Sequence, residues 1–134
     1  MSNWMLELDA VGELPERSVE IRSEDQISEC LAELRAQGEG SGILVDEAGG
    51  FLGFGIRRDL AFCDFNPADG ASDYLMATSG PAVAVPPITF NVGGTATEID
   101  AHRCISASLL DPVLRHYFRT RTLPDLVSWE IDVA

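Results

Sequence analysis

Three short apolar runs in the middle of the chain limit its fold more than any other feature: Gly42-Ile-Leu-Val-Asp46, Phe51-Leu-Gly-Phe-Gly-Ile56 and Leu60-Ala-Phe-Cys-Asp-Phe65. Each is too short for a stable helix, and Gly49-Gly50 and Arg58-Asp59 punctuate the series. Runs of this length separated by turn residues predict consecutive antiparallel hairpins. Ile88–Val92 and Thr95–Ile99, joined by Gly93-Gly94, predict one more. Between them, Asn66-Pro67-Ala68-Asp69-Gly70 reads as a loop and Asp73 to Thr78 as a further strand. Gly80-Pro81 and Pro86-Pro87 restrict regular structure in the segment they bracket, because proline lacks the N–H a ladder needs.

The two ends of the chain change period. Trp4 to Asp9 alternates enough for a first strand, and Val19-Glu20-Ile21 suits a second, short one. Ser23 followed by Glu24, Asp25 and Gln26 is a Ser-x-x-Gln capping box with acids at the positive helix end. Ile27, Cys30, Leu31 and Leu34 then recur at helical spacing until Gly38, which predicts an amphipathic helix of about three turns. Near the other end, Leu110, Val113, Leu114, Tyr117 and Phe118 share one helical face, with Pro112 tolerable in a first turn. Thr122-Leu123-Pro124 stops that helix. Val127, Trp129, Ile131 and Val133 alternate with Ser128, Glu130 and Asp132, as inward and outward positions of a closing strand would. The expected fold is α+β: a mainly antiparallel sheet with one helix near each end of the chain.

Length and composition fit this reading. A chain of 134 residues that is 46% hydrophobic can bury a real core, so residues 1–134 are expected to form a single domain. No apolar run approaches the ~20 residues of a membrane helix. The start, Met-Ser-Asn-Trp-Met-Leu-Glu, has no secretory pattern, and a cytoplasmic location is expected. Cys30, Cys63 and Cys104 are widely spaced and read as reduced, buried thiols.

Charge narrows the partners. The formal net charge is −13, no lysine is present, and residues 1–50 alone hold 12 acids against 3 arginines. Such a surface repels phosphate backbones and anionic membranes, so neither nucleic acid nor membrane is expected as a direct partner. A basic protein is the partner it would steer.

Catalytic and metal patterns are missing. His102-Arg103-Cys104 has no third group to orient the imidazole and reads as a turn histidine beside a core cysteine, while His116 flanks the apolar stripe of the second helix. The cysteine spacings match no zinc pattern, and the loop from Asp64 to Asp69 departs from a calcium loop at several positions. The glycine pairs are hairpin turns, and no phosphate-cradling loop, nucleophile elbow or cofactor motif occurs. No enzyme activity and no cofactor are therefore expected. What remains is surface: Asp64, Asp69, Asp73 and Tyr74 in and beside one loop, with Glu98 and Asp100 at a hairpin strand's end, are the acidic and aromatic groups that could grip an arginine- or lysine-lined partner.

The run Leu114-Arg-His-Tyr-Phe118-Arg-Thr-Arg-Thr-Leu123-Pro124-Asp-Leu-Val127-Ser-Trp129-Glu resembles the ending of the Imm1 immunity-protein family of bacterial polymorphic toxin systems. Members close with an amphipathic helix carrying an aromatic pair, a short turn, Leu-Pro and a tryptophan-bearing strand. Phe90-Asn-Val-Gly93-Gly94 is similar to the family's Gly-Gly hairpin. One position departs from the pattern: Arg121 stands where the helix-to-Leu-Pro turn is expected to hold glycine. The resemblance implies an α+β fold, a structural role for Tyr117, Phe118, Leu123, Pro124 and Trp129, and a non-enzymatic function. That function is to bind a cognate toxin, often a nucleic-acid deaminase, in a heterodimer that occludes its active site. The alternative is a secretion chaperone or adaptor that holds a basic effector without inhibiting it, and a toxin gene directly upstream would favour the first. A small-molecule or enzymatic site in the concave face of the sheet is the third reading.

Overall fold

Strand β4 (Phe51–Arg57) turns Leu52, Phe54 and Ile56 to one side and Gly53 and Gly55 to the other. It pairs along its whole length with β3 (Glu39–Val45) and β5 (Leu60–Asn66), as the turn signals predict. The computed structural model describes residues 3–69 and 73–132. Around this centre, β1 (Met5–Leu8), β2 (Arg17–Glu20), β6 (Leu75–Thr78) and β10 (Ser128–Ile131) complete an antiparallel sheet in the order β10-β6-β5-β4-β3-β1-β2. The two-residue strand β9 (Ile105–Ser106) pairs with the free end of β5. The remaining hairpin, β7 (Ile88–Val92) and β8 (Thr95–Ile99), forms a separate two-stranded sheet. The fold is α+β and mainly antiparallel, with one helix near each end of the chain.

Helix α1 (Glu24–Gln37) runs 14 residues, nearly four turns rather than three. Its start is set by Ser23, in extended conformation, while the Gln26 side-chain oxygen accepts from the Ser23 N–H at 3.1 Å. Gly38 ends it in the left-handed region, φ 81°, where a side chain would be strained. Helix α2 (Leu110–Thr120) lies beside α1. Arg115 and Arg119 both reach Glu24, at 3.3 and 2.8 Å, and Ser28 donates to Asp111 at 2.6 Å. The acids at the start of α1 are therefore committed to the other helix as well as to the helix dipole.

Both helices cover one face of the sheet. Ile27, Cys30, Leu31 and Leu34 of α1 and Leu110, Val113, Leu114 and Tyr117 of α2 share a core with Leu6, Leu44, Leu52, Phe54 and Ile56. Trp4 packs edge-on against Tyr117 and Phe118, with centroids 5.3 and 5.2 Å apart. The Tyr117 hydroxyl continues through that core and donates to Asp46. Asp46 is itself buried at the end of β3, where its other oxygen accepts from the Ala48 and Gly50 N–H groups of the β3–β4 turn. Burial first, then the bond to Asp46 and its charge, push the Tyr117 hydroxyl well above its ordinary titration range, so it stays a donor.

The C-terminal motif residues behave as packing groups. Pro124 is buried, Leu123 and Phe118 are half-buried against the main core, and Trp129 packs there while its ring N–H donates to the Pro124 carbonyl at 2.9 Å. The expected inward phase of the last strand holds only in part. Val127 is buried and Trp129 half-buried, but Ile131 is 54% exposed, at the end of β10 on the edge of the sheet. Val133 and Gly70 lie outside the described residues. Strand β6 begins at Leu75 rather than Asp73. Arg121 takes the left-handed C-cap of α2, φ 59°, with its N–H on the Tyr117 carbonyl. That geometry is the physical reason a glycine is expected there.

Two stability outcomes follow from this packing. Tyr117→Phe should lower stability by about 1.5–3 kcal/mol, the range for a hydrogen bond to a charged group, because it strips one donor from a buried carboxylate. An unchanged urea midpoint would show that the Asp46 bond contributes nothing. Arg121→Gly should raise stability by about 1 kcal/mol by relieving the left-handed strain. A lower midpoint for that variant would contradict the cap geometry.

Candidate functional site

The face of the sheet turned away from the helices is covered differently. The β7–β8 hairpin lies across β3 and β4, and Phe90, Ile99, Met76, Cys104 and Phe62 make a second, smaller core beneath it. Phe62 meets Phe90 edge-on at 5.1 Å. Gly55 is the register partner of Phe62, and a Cβ there would collide with the Phe62 ring, so the bare backbone is what lets the ring lie across β4. Polar contacts fix the hairpin tip. Ser41, buried on β3, donates to Asp9 at 2.6 Å and accepts from the Gly93 N–H at 3.1 Å, while Arg57 donates to the Thr89 carbonyl at 2.9 Å.

The hairpin leaves part of this face open. The result is a cleft of about 470 Å³ between β8 and strands β3 to β6. Ile43, Phe51 and Val92 give it apolar walls, and Asp9, Asp64, Glu98, Asp132 and Arg103 bring charge. Its volume lies within the ~300–1,000 Å³ usual for ligand clefts.

Asp64 reaches the cleft from β5. It faces Gly53 across the β4–β5 ladder, and a Cβ on Gly53 would stand 2.5 Å from its Oδ1. The glycine thus makes room for the carboxylate over the sheet. Burial raises the Asp64 carboxyl above its ordinary range, the Asn66 amide, donating at 2.9 Å, works against that, and the Asp132 charge adds to it. Arg103 stands on a short 3-10 turn (Ala101–Arg103) and binds Glu130 through Nε and Asp132 through Nη1, at 2.5 and 2.8 Å. Burial works to lower the Arg103 guanidinium, but these two pairs raise it on balance. Glu130 is held below the usual carboxylate range by Arg103, with His102 assisting at 2.9 Å. Arg103 and His102 together therefore clamp strand β10 to the turn that precedes β9.

The sequence candidates are distributed unevenly over this geometry. Asp64 and Glu98 line the same cleft, one from β5 and one from β8. Asp69, Asp73 and Tyr74 stand exposed at and after the loop that leaves β5, with Tyr74 at 50% exposure. Asp100 caps the 3-10 turn and is exposed; its carbonyl accepts from Arg103 N–H and from the Cys104 thiol. Asp9, Arg103 and Asp132 are cleft residues that sequence reasoning missed. Arg103 carried a signal, being the one arginine of the long stretch between Arg58 and Arg115. His102 lies on the 3-10 turn, as the reading of a turn histidine expects. His116 faces the Thr122 hydroxyl at 3.1 Å.

The three cysteines are buried and unpaired, and burial raises each thiol above its ordinary range, so none is a ready thiolate. Among the described residues no group of three His, Cys, Asp or Glu side chains is arranged to hold a metal ion. No helix among them is long and apolar enough to cross a membrane.

The family model described as Immunity protein Imm1 matches residues 15–130. The chain belongs to the Imm1 immunity-protein family. The matched span runs from the turn before β2 to β10, so it takes in both helices, the β7–β8 hairpin and, apart from Asp9 and Asp132, the residues that line the cleft of this Imm1 chain. A search of curated proteins gave no match.

The cleft makes a pH-dependent prediction. A folded-state carboxyl raised above its unfolded value binds its proton more tightly in the native state, so the group costs stability as pH rises through the raised value. Asp64→Asn should be at least as stable as the native protein at pH 7, with the difference shrinking as pH falls towards about 4, where the unfolded carboxyl itself protonates. Denaturation midpoints across that range would measure it. An Asp64→Asn variant clearly weaker at pH 7 would mean the carboxylate is held by favourable contacts instead.

Proposed function

We propose that this protein is the immunity partner of a toxin and silences it by binding over its active site in a heterodimer. The match of residues 15–130 to the Imm1 family carries the reading. The net charge of −13 supports a basic partner. Enzymes that act on nucleic acids present positive surfaces to phosphate backbones, and an acidic inhibitor can occupy such a surface in place of the substrate. A nucleic-acid deaminase is the toxin class that fits both the family and the charge. An inhibitor of this kind needs no catalytic group of its own, and it acts where the toxin's substrate is, in the cytoplasm.

Co-expression tests the reading. Cells arrested by the toxin encoded beside this gene should resume growth when the protein is supplied, and failure to rescue from every neighbouring toxin would overturn it. With purified partners, the association rate should fall steeply as salt rises, since the Debye length is about 10 Å at 0.1 M, while dissociation changes less. An association rate indifferent to salt would remove electrostatic steering from the account.

A further inference from the structure

The cleft beneath the hairpin holds four carboxylates, Asp9, Asp64, Glu98 and Asp132, against the single guanidinium of Arg103. That guanidinium is already spent on Glu130 and Asp132. Among the described residues, no cation pairs with Asp64, whose side-chain partner is the Asn66 amide, or with Glu98 on the facing strand. Ile43, Phe51 and Val92 line the same cleft and give it apolar walls. The sequence maintains this arrangement at a cost, because burial and the neighbouring Asp132 both disfavour the Asp64 charge. Gly53 keeps the space above β4 open for it.

A cleft lined by both carboxylates and apolar side chains matches one side chain best. Arginine has a methylene stem that packs on apolar surface and a planar, weakly hydrated head that can bridge two carboxylates at once. Lysine offers the stem but only a compact, strongly hydrated charge. We propose that this cleft is the socket for an arginine side chain presented by the toxin. The inference rests on the immunity reading for the source of the arginine, and on charge and shape complementarity for the socket itself.

Two measurements separate the socket from the function. In the first, the 15N-labelled protein is titrated with methylguanidinium chloride, methylammonium chloride and sodium chloride at equal ionic strength. Saturable shifts confined to the amides around Gly53, Asp64, Val92 and Glu98, seen with methylguanidinium alone and lost in Asp64→Asn/Glu98→Gln, support the socket. Shifts equal to those of sodium chloride, or equal responses to methylammonium, overturn it. In the second, the same double variant, shown to melt like the native protein, is bound to the cognate toxin. Affinity should fall at least about thirtyfold, the low end for removing one side of a desolvated charge pair. Affinity within about twofold of native, with rescue intact, overturns the socket while leaving the immunity function standing. Failure of the native protein to rescue from any toxin strikes the function instead, and the methylguanidinium titration still decides the cleft.

Discussion

Leu52, Phe54 and Ile56 carry the bulk of the middle of β4 to the helix side, while Gly53 and Gly55 leave the opposite side bare between Phe51 and Arg57. The rest of the molecule is arranged around that asymmetry. On the bulky side two helices can bury a continuous core, and α2 is tied to the sheet by a hydrogen bond from Tyr117 to the buried Asp46. On the bare side a second layer can approach closely enough for Phe62 to lie over Gly55 and for the Asp64 carboxylate to lie over Gly53. A β4 strand with side chains at both glycines would displace the Phe62 ring and the Asp64 carboxylate.

Much of this was legible in the residues because it is local. The capping box at Ser23, the stop at Gly38 and the 3.6-residue spacing of Leu110 to Phe118 each act within a few residues, and both helices form where those signals stand. The paired strands β3, β4 and β5 likewise follow from turn residues between short apolar runs. What alternation cannot tell is the partner of a strand. Nothing in Ile88 to Ile99 announces that the hairpin leaves the main sheet and folds over its open face. The same limit hid the exposure of Ile131, whose alternation is inward but whose strand is the edge of the sheet.

The candidate site was half legible for the same reason. Asp64 and Glu98 drew notice as acids near loops, but they are 34 residues apart, and only the fold of the hairpin brings them to one cleft. Asp9, Arg103 and Asp132 come from three further elements, and their meeting depends on the sheet order. Tyr117, Phe118, Leu123, Pro124 and Trp129 form the most recognisable stretch of the sequence and serve packing around α2 and β10. The proposed arginine socket and these family-motif residues therefore lie on opposite faces of the sheet. The helix face is built for stability, with its charges neutralised in pairs such as Arg115 and Arg119 with Glu24, whereas the hairpin face keeps carboxylates that no cation among the described residues answers.

The central claim is this division between a face that holds the fold and a face that meets the toxin. Amide hydrogen exchange of the protein, alone and in complex with its cognate toxin, tests it most directly, because it reads protection strand by strand. The account predicts added protection in β7–β8 and in the ends of β5 and β6 that border the cleft, with α1 and α2 unchanged. Protection concentrated on the two helices, with the hairpin exchanging as in the unbound protein, would contradict it.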